Sequence, residues 1–123
     1  MNYNHQLTLG ELIYELKKYE PKEEVRFDFG YFEPGAIDSY RGYYEQLAIS
    51  YREFENARMT VGVLLEMCKN ALGNTFTGYK GGDYVMSEDT PLWASNRSDA
   101  TGTAIVGVTE ELDVVIHTAY NGF

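Results

Sequence analysis

The sequence predicts an α+β fold, with two helices packed on one mostly antiparallel sheet of about five or six strands. Two segments carry apolar residues at helical spacing, and each begins with a threonine that can cap a helix. Several other segments alternate between apolar and polar residues or are apolar throughout, as strands are. No linker or low-complexity stretch divides the 123 residues. We therefore expect residues 1–123 to form a single compact domain.

The first helix is predicted over residues 8–19. Thr8 and Glu11 have the spacing of a capping box, in which the hydroxyl accepts from a first-turn amide and the carboxylate reaches back to the cap. Pro21 and the charged residues after it end the helix. The apolar face of this helix consists of Leu9, Leu12, Ile13 and Leu16.

The second helix is predicted over residues 60–72, and its opening Thr60-Val61-Gly62 repeats Thr8-Leu9-Gly10. Cys68 takes the position of a leucine in the first helix, which predicts a buried thiol rather than a nucleophile. Gly73 ends the helix as a C′ glycine. The repeat indicates a duplicated unit of helix, strand and loop, although two unrelated helices with the same cap would look alike.

Six segments of the chain are predicted as strands, and the second half is mostly β. The predicted strands are 25–29, 47–51, 83–87, 91–95, 104–108 and 112–117. The last two flank Thr109-Glu110-Glu111 as a hairpin, and because both are apolar on either face we place them centrally in the sheet. Pro34-Gly35 predicts a turn within residues 31–39. Residues 52–58 are predicted as a connection and residues 96–102 as a polar loop.

Composition limits the classes of function. Hydrophobic residues make up 44% of the chain, which argues against a disordered tail. The net charge of −9 argues against general affinity for duplex nucleic acid or an anionic membrane. The single cysteine excludes an intramolecular disulfide. The N-terminus lacks the pattern of a signal peptide, and no apolar run has membrane-spanning length, so we expect a cytoplasmic protein.

Two loops combine tyrosines, a basic residue and glycine: Ser39-Tyr40-Arg41-Gly42-Tyr43-Tyr44 and Tyr79-Lys80-Gly81-Gly82-Asp83-Tyr84. Tyrosine and tryptophan rings can stack on a base, and arginine and lysine can pair with phosphates. The predicted ligand-binding residues are Ser39, Tyr40, Arg41, Gly42, Tyr44, Tyr79, Lys80, Gly81 and Trp93. Alternatively, the tyrosines form the rim of the core, the glycines mark ordinary turns, and Trp93 is a core residue of a strand.

Signatures of catalysis are missing from the sequence. It has no G-x-S-x-G motif and no phosphate loop of the Walker type. His5 lies in a tail and His117 in an apolar strand, where a structural role is expected. One cysteine and two distant histidines do not make a metal site. We therefore predict a protein without catalytic residues, metal or cofactor.

Several segments resemble small proteins of tailed phages, over about Thr8 to Val108 of this chain. The segments are Val25-Arg26-Phe27-Asp28-Phe29-Gly30, Ser39-Tyr40-Arg41-Gly42-Tyr43-Tyr44, Phe76-Thr77-Gly78-Tyr79-Lys80-Gly81-Gly82 and Thr90-Pro91-Leu92-Trp93. Their overall pattern is similar to anti-CBASS-type sponges, which are phage anti-defence proteins. The resemblance implies non-catalytic sequestration of a nucleotide second messenger of the cyclic oligonucleotide class, within a homo-oligomer and in the host cytoplasm.

Two other functions compete with this one. A protein–protein inhibitor of a host defence protein could use the −9 charge to imitate nucleic acid, with tyrosines as interface anchors. A small enzyme acting on a nucleotide is the third reading. Self-association, as a dimer or higher oligomer, is also expected, because 11 tyrosines, 6 phenylalanines and one tryptophan exceed what a domain of this size readily buries.

Overall fold

The computed structural model describes residues 5–39, 47–77, 83–96 and 99–120. Its helices are α1 (Leu9–Leu16) and α2 (Val61–Ala71). Its strands are β1 (Val25–Phe27), β2 (Phe32–Ser39), β3 (Leu47–Glu53), β4 (Thr75–Thr77), β5 (Asp83–Val85), β6 (Leu92–Asn96), β7 (Asp99–Glu110) and β8 (Val114–Tyr120). The predicted α+β class is confirmed. Among the described residues, no helix is long and apolar enough to cross a bilayer.

Six of the strands form one sheet in the order β1-β8-β7-β6-β3-β2, and β4 and β5 form a separate hairpin. The pairs β2/β3, β6/β7 and β7/β8 are antiparallel, whereas β1/β8 and β3/β6 are parallel. The two edge strands, β1 and β2, approach each other, so the sheet is nearly closed and barrel-like. As predicted, the C-terminal hairpin is central.

The helices begin where their capping residues predict. The Glu11 amide donates to Thr8 Oγ1 at 3.3 Å, and the Thr8 amide donates to Glu11 Oε1 at 2.9 Å, which completes the capping box. Thr60 accepts from the Val63 amide at 3.3 Å, but Val63 cannot return a hydrogen bond from its side chain. Both helices pack their apolar faces on one face of the sheet and form the main core with it.

The chain is built from two equivalent units, α1-β1-β2-β3 and α2-β6-β7-β8. Each unit has an antiparallel hairpin, β2/β3 or β7/β8. Each hairpin pairs in parallel with the first strand of the other unit, so β1 lies on β8 and β6 lies on β3. The hairpins carry bulges at equivalent places, between Pro34 and Ile37 in β2 and between Ile105 and Gly107 in β7. The predicted duplication therefore extends through the sheet.

The equivalence holds for individual hydrogen bonds at the two helix starts. The amide of Leu9 donates to Thr90 O at 2.8 Å, and the amide of Val61 donates to Glu23 O at 2.8 Å. The next amides follow suit: Gly10 donates to Glu88 O at 2.9 Å, and Gly62 donates to Pro21 O at 2.8 Å. Each helix start is thus tied to the segment that precedes the first strand of the other unit.

Two sequence predictions were wrong about irregular structure. Pro34-Gly35 lies inside β2 rather than in a turn, at the bulge, where a proline without an amide proton is tolerated. Most of the predicted loop 96–102 belongs to β7, which begins at Asp99. Small polar residues gave no periodic signal there, and pairing with β6 and β8 determines the strand.

Candidate functional site

The outer face of the sheet, opposite the helices, carries an ionic cluster in the first unit. At its centre is Glu33, a carboxylate that is 0% exposed. Arg52 Nε donates to one of its oxygens at 3.0 Å, Arg58 Nε to the other at 2.8 Å, and the Met59 amide at 3.1 Å. Burial raises the pKa of Glu33, but the amide and the two guanidinium groups outweigh it and hold the pKa below its ordinary value. Glu33 is therefore buried as a carboxylate.

Arg58 extends this cluster to the neighbouring strands. Its Nη1 lies 3.3 Å from Glu24 Oε1, and its Nη2 lies 3.4 Å from Asp113 Oδ2. Its guanidinium carbon sits 3.6 Å from the centroid of the Phe54 ring, a cation–π distance. With three carboxylates around it, this guanidinium is held in place and in turn fixes the Phe54 ring.

A cleft of about 480 Å³ opens beside the cluster and is lined by Arg26, Gly30, Tyr31, Phe54 and Asp113. Tyr31 is 79% exposed, and its ring meets that of Phe54 edge-on with centroids 6.0 Å apart. Arg26 Nη1 donates to the Phe27 carbonyl at 3.0 Å, while its Nε stands 3.8 Å from Asp113 Oδ2. This volume falls within the range of small-molecule sites.

The side chains of the cleft can make three different kinds of contact with a ligand. The exposed Tyr31 ring offers a face for stacking on a base. Arg26 is less tightly paired than Arg58, since its nearest carboxylate oxygen among the described residues, Asp113 Oδ2, is 3.8 Å away, beyond hydrogen-bond distance. Its guanidinium can therefore turn to an anionic oxygen. Asp113 can accept hydrogen bonds from a base edge. An aromatic face, a guanidinium and a carboxylate together suit a nucleotide better than a purely apolar ligand.

A hydrogen-bonded chain on β8 lies farther along the same face. His117 Nε2 is 2.7 Å from Thr109 Oγ1, and His117 Nδ1 is 3.7 Å from Asp28 Oδ2. Asp28 is itself fixed by Thr118, whose amide donates at 2.9 Å and whose hydroxyl donates at 2.7 Å. These contacts tie the residue after β1 to β8, and the structural role of His117 stays a prediction. Within the described ranges, no group of three potential ligands could hold a metal ion.

Trp93 and Ser39 are the predicted site residues whose backbone is described. Trp93 is 5% exposed and packs on the outer face of the second unit, against Ala48, Ala104 and Val106. It is therefore a buried strand residue, as the alternative interpretation held. Ser39 ends β2, where its Cα pairs with that of Leu47. The other predicted site residues lie outside the described residues: Tyr40, Arg41, Gly42, Tyr44, Tyr79, Lys80 and Gly81.

The two tyrosine-glycine loops do not take equivalent places in the two units. Residues 40–46 join β2 to β3, and their counterpart in the second unit is the connection 111–113 between β7 and β8. Residues 78–82 join β4 to β5, a hairpin inserted between α2 and β6. The similarity of the two loop sequences is therefore separate from the duplication. Because β4 contacts β2, the strands leading into both loops are neighbours.

Sequence reasoning missed the cleft because its residues are scattered through the chain. In the predicted strand 25–29, Arg26 is one of the polar residues that alternate with apolar ones. Phe54 and Arg58 lie in the predicted connection 52–58. A signal was present in Arg52 and Arg58, which flank an aromatic residue within one short segment. Their carboxylate partner, Glu33, stands next to Pro34-Gly35, which predicts a turn rather than a buried strand position.

Cys68 is buried as predicted, and burial raises the pKa of its thiol to about 12.

An acidic groove of about 470 Å³ runs along the start of α1. Its lining residues are Leu7, Thr8, Gly10, Glu11, Tyr14, Glu15, Glu88 and Asp89. Tyr14 is 65% exposed there, and Lys18 Nζ lies 4.8 Å from the centroid of its ring. The groove thus combines negative charge with an exposed ring that already accepts a cation.

Comparison of the chain with family models, with curated proteins and with solved structures gives no match.

Proposed function

We propose that the protein binds a nucleotide second messenger of the cyclic oligonucleotide class and holds it without cleaving it, as a phage-type immune-evasion protein in the host cytoplasm. The observation that carries this proposal is the cleft lined by Arg26, Gly30, Tyr31, Phe54 and Asp113. Its ring face, guanidinium and carboxylate match the base, phosphate and base edge of a nucleotide.

Within this proposal each side chain of the cleft has one task. The Tyr31 ring stacks on a base, which contributes about 1–3 kcal/mol in single-strand binders. Arg26 pairs with a phosphate oxygen, and Asp113 accepts from an exocyclic amine. Arg58 does not touch the ligand, because Glu24, Glu33 and Asp113 already hold it, and it keeps the Phe54 ring in position instead.

The basic residues outside the described ranges support the same function. Arg41, Lys80 and Arg97 each lie in a segment that joins two described strands. For an overall acidic protein to hold an anion, positive charge must be concentrated near the phosphates. We propose that Arg41 and Lys80, set among tyrosines and glycines, supply further phosphate contacts, and that a homo-oligomer presents the sites.

The proposal is tested by incubating the protein with extract from signalling cells, releasing bound molecules by heat and identifying them by mass spectrometry. An intact nucleotide supports sequestration, a processed nucleotide supports an enzyme, and the absence of any small molecule contradicts both. Calorimetric titration with the recovered nucleotide then compares Arg26→Ala and Arg41→Ala with wild type. Loss of a charge-assisted contact costs about 2–5 kcal/mol, or roughly thirty-fold or more in affinity.

Lys17→Ala is the matched control, because the Lys17 side chain is exposed at the end of α1, away from the cleft. It should bind the nucleotide as wild type does. Equal affinity of wild type and Arg26→Ala would remove the cleft from the site. Equal affinity of wild type and Arg41→Ala would remove the loop, so the two parts of the site are tested separately.

A protein–protein inhibitor is the second candidate, and the acidic groove beside α1 favours it. Glu11, Glu15, Glu88 and Asp89 could receive a basic segment of a host defence protein, with the exposed Tyr14 as an anchor. Under this alternative no small molecule is released by heat. Charge reversal by Glu88→Lys and Asp89→Lys would then abolish protection against host defence, whereas Arg26→Ala would leave it intact.

A further inference from the structure

Residues 5–27, which we call the α1–β1 arm, make their backbone hydrogen bonds outside the arm with segments that are distant in the sequence rather than with the strands that follow directly. Among the described residues, every backbone hydrogen bond between this arm and the rest of the chain reaches residues 59–116. The Leu7 amide donates to Ile105 O at 2.8 Å, and the Val114 amide donates to Glu24 O at 3.0 Å. The remaining links include the β1/β8 ladder and the helix-start contacts already described.

The arm is joined to its own hairpin by a connection of only a few residues, 28–31. No ladder joins β1 to β2 within the described part of the chain. On the hairpin side, the Phe27 ring of β1 meets the Tyr51 ring of β3 edge-on, with centroids 6.2 Å apart. Gly30 makes the reversal possible with a φ of +54°. A Cβ at this position would also lie 2.9 Å from the Phe32 ring, so the tight connection depends on glycine.

We propose that the α1–β1 arm can be exchanged between two copies of this chain, giving a dimer in which each arm occupies the other copy's second unit. The partner is fixed by the shape of the acceptor, because the Leu9, Leu12 and Leu16 side chains are fully buried and only an identical arm matches that surface. An exchange recreates every contact of the arm except those of the connection 28–31.

Within one chain, the first strand of each unit already pairs with the hairpin of the other unit. Strand β1 leaves the first unit to pair with β8, and β6 leaves the second unit to pair with β3. Exchange between copies repeats the same geometry with a straightened connection. The proposal does not depend on nucleotide binding, since the arm's acceptor surface is formed by β8, β7 and α2 rather than by a ligand.

The first test changes Gly30, because a side chain there strains the closed connection and leaves an extended one unaffected. Wild type and Gly30→Ala are unfolded, refolded at several protein concentrations, and examined by size exclusion with light scattering. Gly30→Ala should shift the population from the 14.0 kDa monomer to the dimer, with a rise of about ten-fold or more in the dimerisation constant.

Gly73→Ala is the matched control. Gly73 also has a positive φ, +81°, but a Cβ there meets nothing within 4 Å, and the residue follows α2 and is not part of the connection 28–31. The substitution should lower stability without increasing the dimer. Equal dimer populations for Gly30→Ala and Gly73→Ala would overturn the proposal.

The second test distinguishes exchange from any other dimer. The Cα atoms of Arg26 and Val115 are partners in the β1/β8 ladder, a separation that a disulfide can bridge. One chain carries Arg26→Cys and another carries Val115→Cys, and the two are refolded together under reducing conditions and then exposed to an oxidant. Since Val115 is 1% exposed, its thiol can meet the other only when the partner's arm is docked on β8.

A covalent dimer in the mixture, with none from Val115→Cys alone, is the expected result. The native Cys68 does not interfere, because it is fully buried. A dimer by light scattering without the covalent product would show that the copies associate through a different surface. Monomer alone at every concentration, for wild type and for Gly30→Ala, would likewise overturn the exchange.

Discussion

The two units share one backbone plan, but their outer faces differ in chemistry. Position by position, Trp93 replaces Arg26, Ala104 replaces Glu33, and Ala119 replaces Arg52. In the first unit this face holds the carboxylate–guanidinium cluster and the cleft. In the second unit it holds a small apolar cluster around the tryptophan. The difference separates what the fold requires from the residues of the proposed site.

The same arrangement of strand pairs forms under the ionic cluster of the first unit and under the apolar cluster of the second. The backbone plan therefore does not depend on one particular kind of side chain on the outer face. Burying a carboxylate with two guanidinium groups is costly unless every group is paired. The first unit meets this condition through the two arginines and the Met59 amide around Glu33. At the equivalent positions of the second unit two small alanines take the place of this ion pair, and the proposed cleft lies beside the ionic cluster of the first unit.

The largest expected effect comes from Glu33→Ala. The substitution leaves Arg52 and Arg58 without their shared counter-charge and the Met59 amide without its acceptor, which should cost about 3–5 kcal/mol of the free energy of unfolding. Urea denaturation measures the loss. Glu53→Ala, at the exposed end of β3, is the control and should stay within about 0.5 kcal/mol of wild type.

The double variant Glu33→Ala/Arg52→Ala sharpens this result, because it gives the first unit the alanine pair of the second unit, Ala104 and Ala119. Removing both partners of an ion pair is less costly than removing one. We expect the double variant to be more stable than Glu33→Ala. A double variant that is less stable than Glu33→Ala would contradict the idea that the ionic cluster is dispensable for folding.

Trp93→Ala should have the next largest effect. The ring is buried against alanines and a valine, so its loss leaves a cavity that small neighbours cannot fill, at a cost of about 3 kcal/mol. Thermal and urea unfolding measure the change. Tyr14→Ala removes an exposed ring and serves as the control, with little effect expected. If Trp93→Ala melts like wild type, the buried ring contributes no stability, which would contradict this expectation; its role in stacking stays a separate prediction.

Much of the fold was predictable because local signals and burial agree. The capping threonines and the apolar helix faces set the starts of both helices, and Gly73 follows the end of α2. The first helix ends at Leu16, three residues before the predicted end at residue 19. The C-terminal hairpin followed from its apolar strands. By contrast, Pro34-Gly35 and residues 99–102 were misread, because long-range pairing with β3 and with β6 and β8 overrides the local preference for a turn or loop.

The site was less predictable for a physical reason. A motif that is contiguous in sequence, such as the loop around Arg41, can be found by inspection. The cleft unites Arg26, Tyr31, Phe54 and Asp113, which come together only when β1 pairs with β8 and β3 ends nearby. Such a set requires the sheet order, and the parallel exchange between units is not encoded in any local pattern.

A smaller effect is expected at the two helix caps. Thr8→Ala breaks a reciprocal capping box and should cost about 1 kcal/mol or somewhat more. Thr60→Ala loses one side-chain hydrogen bond without a reciprocal partner and should cost less. Equilibrium unfolding of the two variants side by side measures the difference. Equal losses would show that Glu11 contributes nothing to the first cap.

The smallest effects concern the pH dependence of stability. The pKa of Glu33 is lowered, so its contribution is complete above the ordinary value of 4.5 and is lost as the pH falls through its folded-state pKa. The pKa of Glu23 is raised, first by its interaction with the neighbouring carboxyl group of Glu110 and then by burial. Its contribution is present below 4.5 and is lost as the pH rises through the folded-state pKa.

Glu110→Gln should remove the pH dependence that Glu23 contributes to the free energy of unfolding. As the pH rises above 4.5, the variant should therefore become more stable relative to wild type. Urea midpoints measured from acidic to neutral pH test the expectation. Glu66→Gln, on the exposed side of α2, is the control and should run parallel to wild type. A Glu110→Gln curve parallel to wild type would contradict an interaction between the two side chains.

The two helix starts approach the opposite unit so closely that they restrict which sequences can adopt this fold. A Cβ at Gly10 would lie 2.9 Å from the Glu88 Cβ, and one at Gly62 would lie 3.0 Å from the Pro21 Cβ. Each threonine, by contrast, can exchange with serine, asparagine or aspartate as a cap. A hydroxyl or carboxamide cap followed two residues later by glycine, occurring once at the head of each unit, is therefore a search pattern for chains with the same architecture, even where the outer faces share nothing.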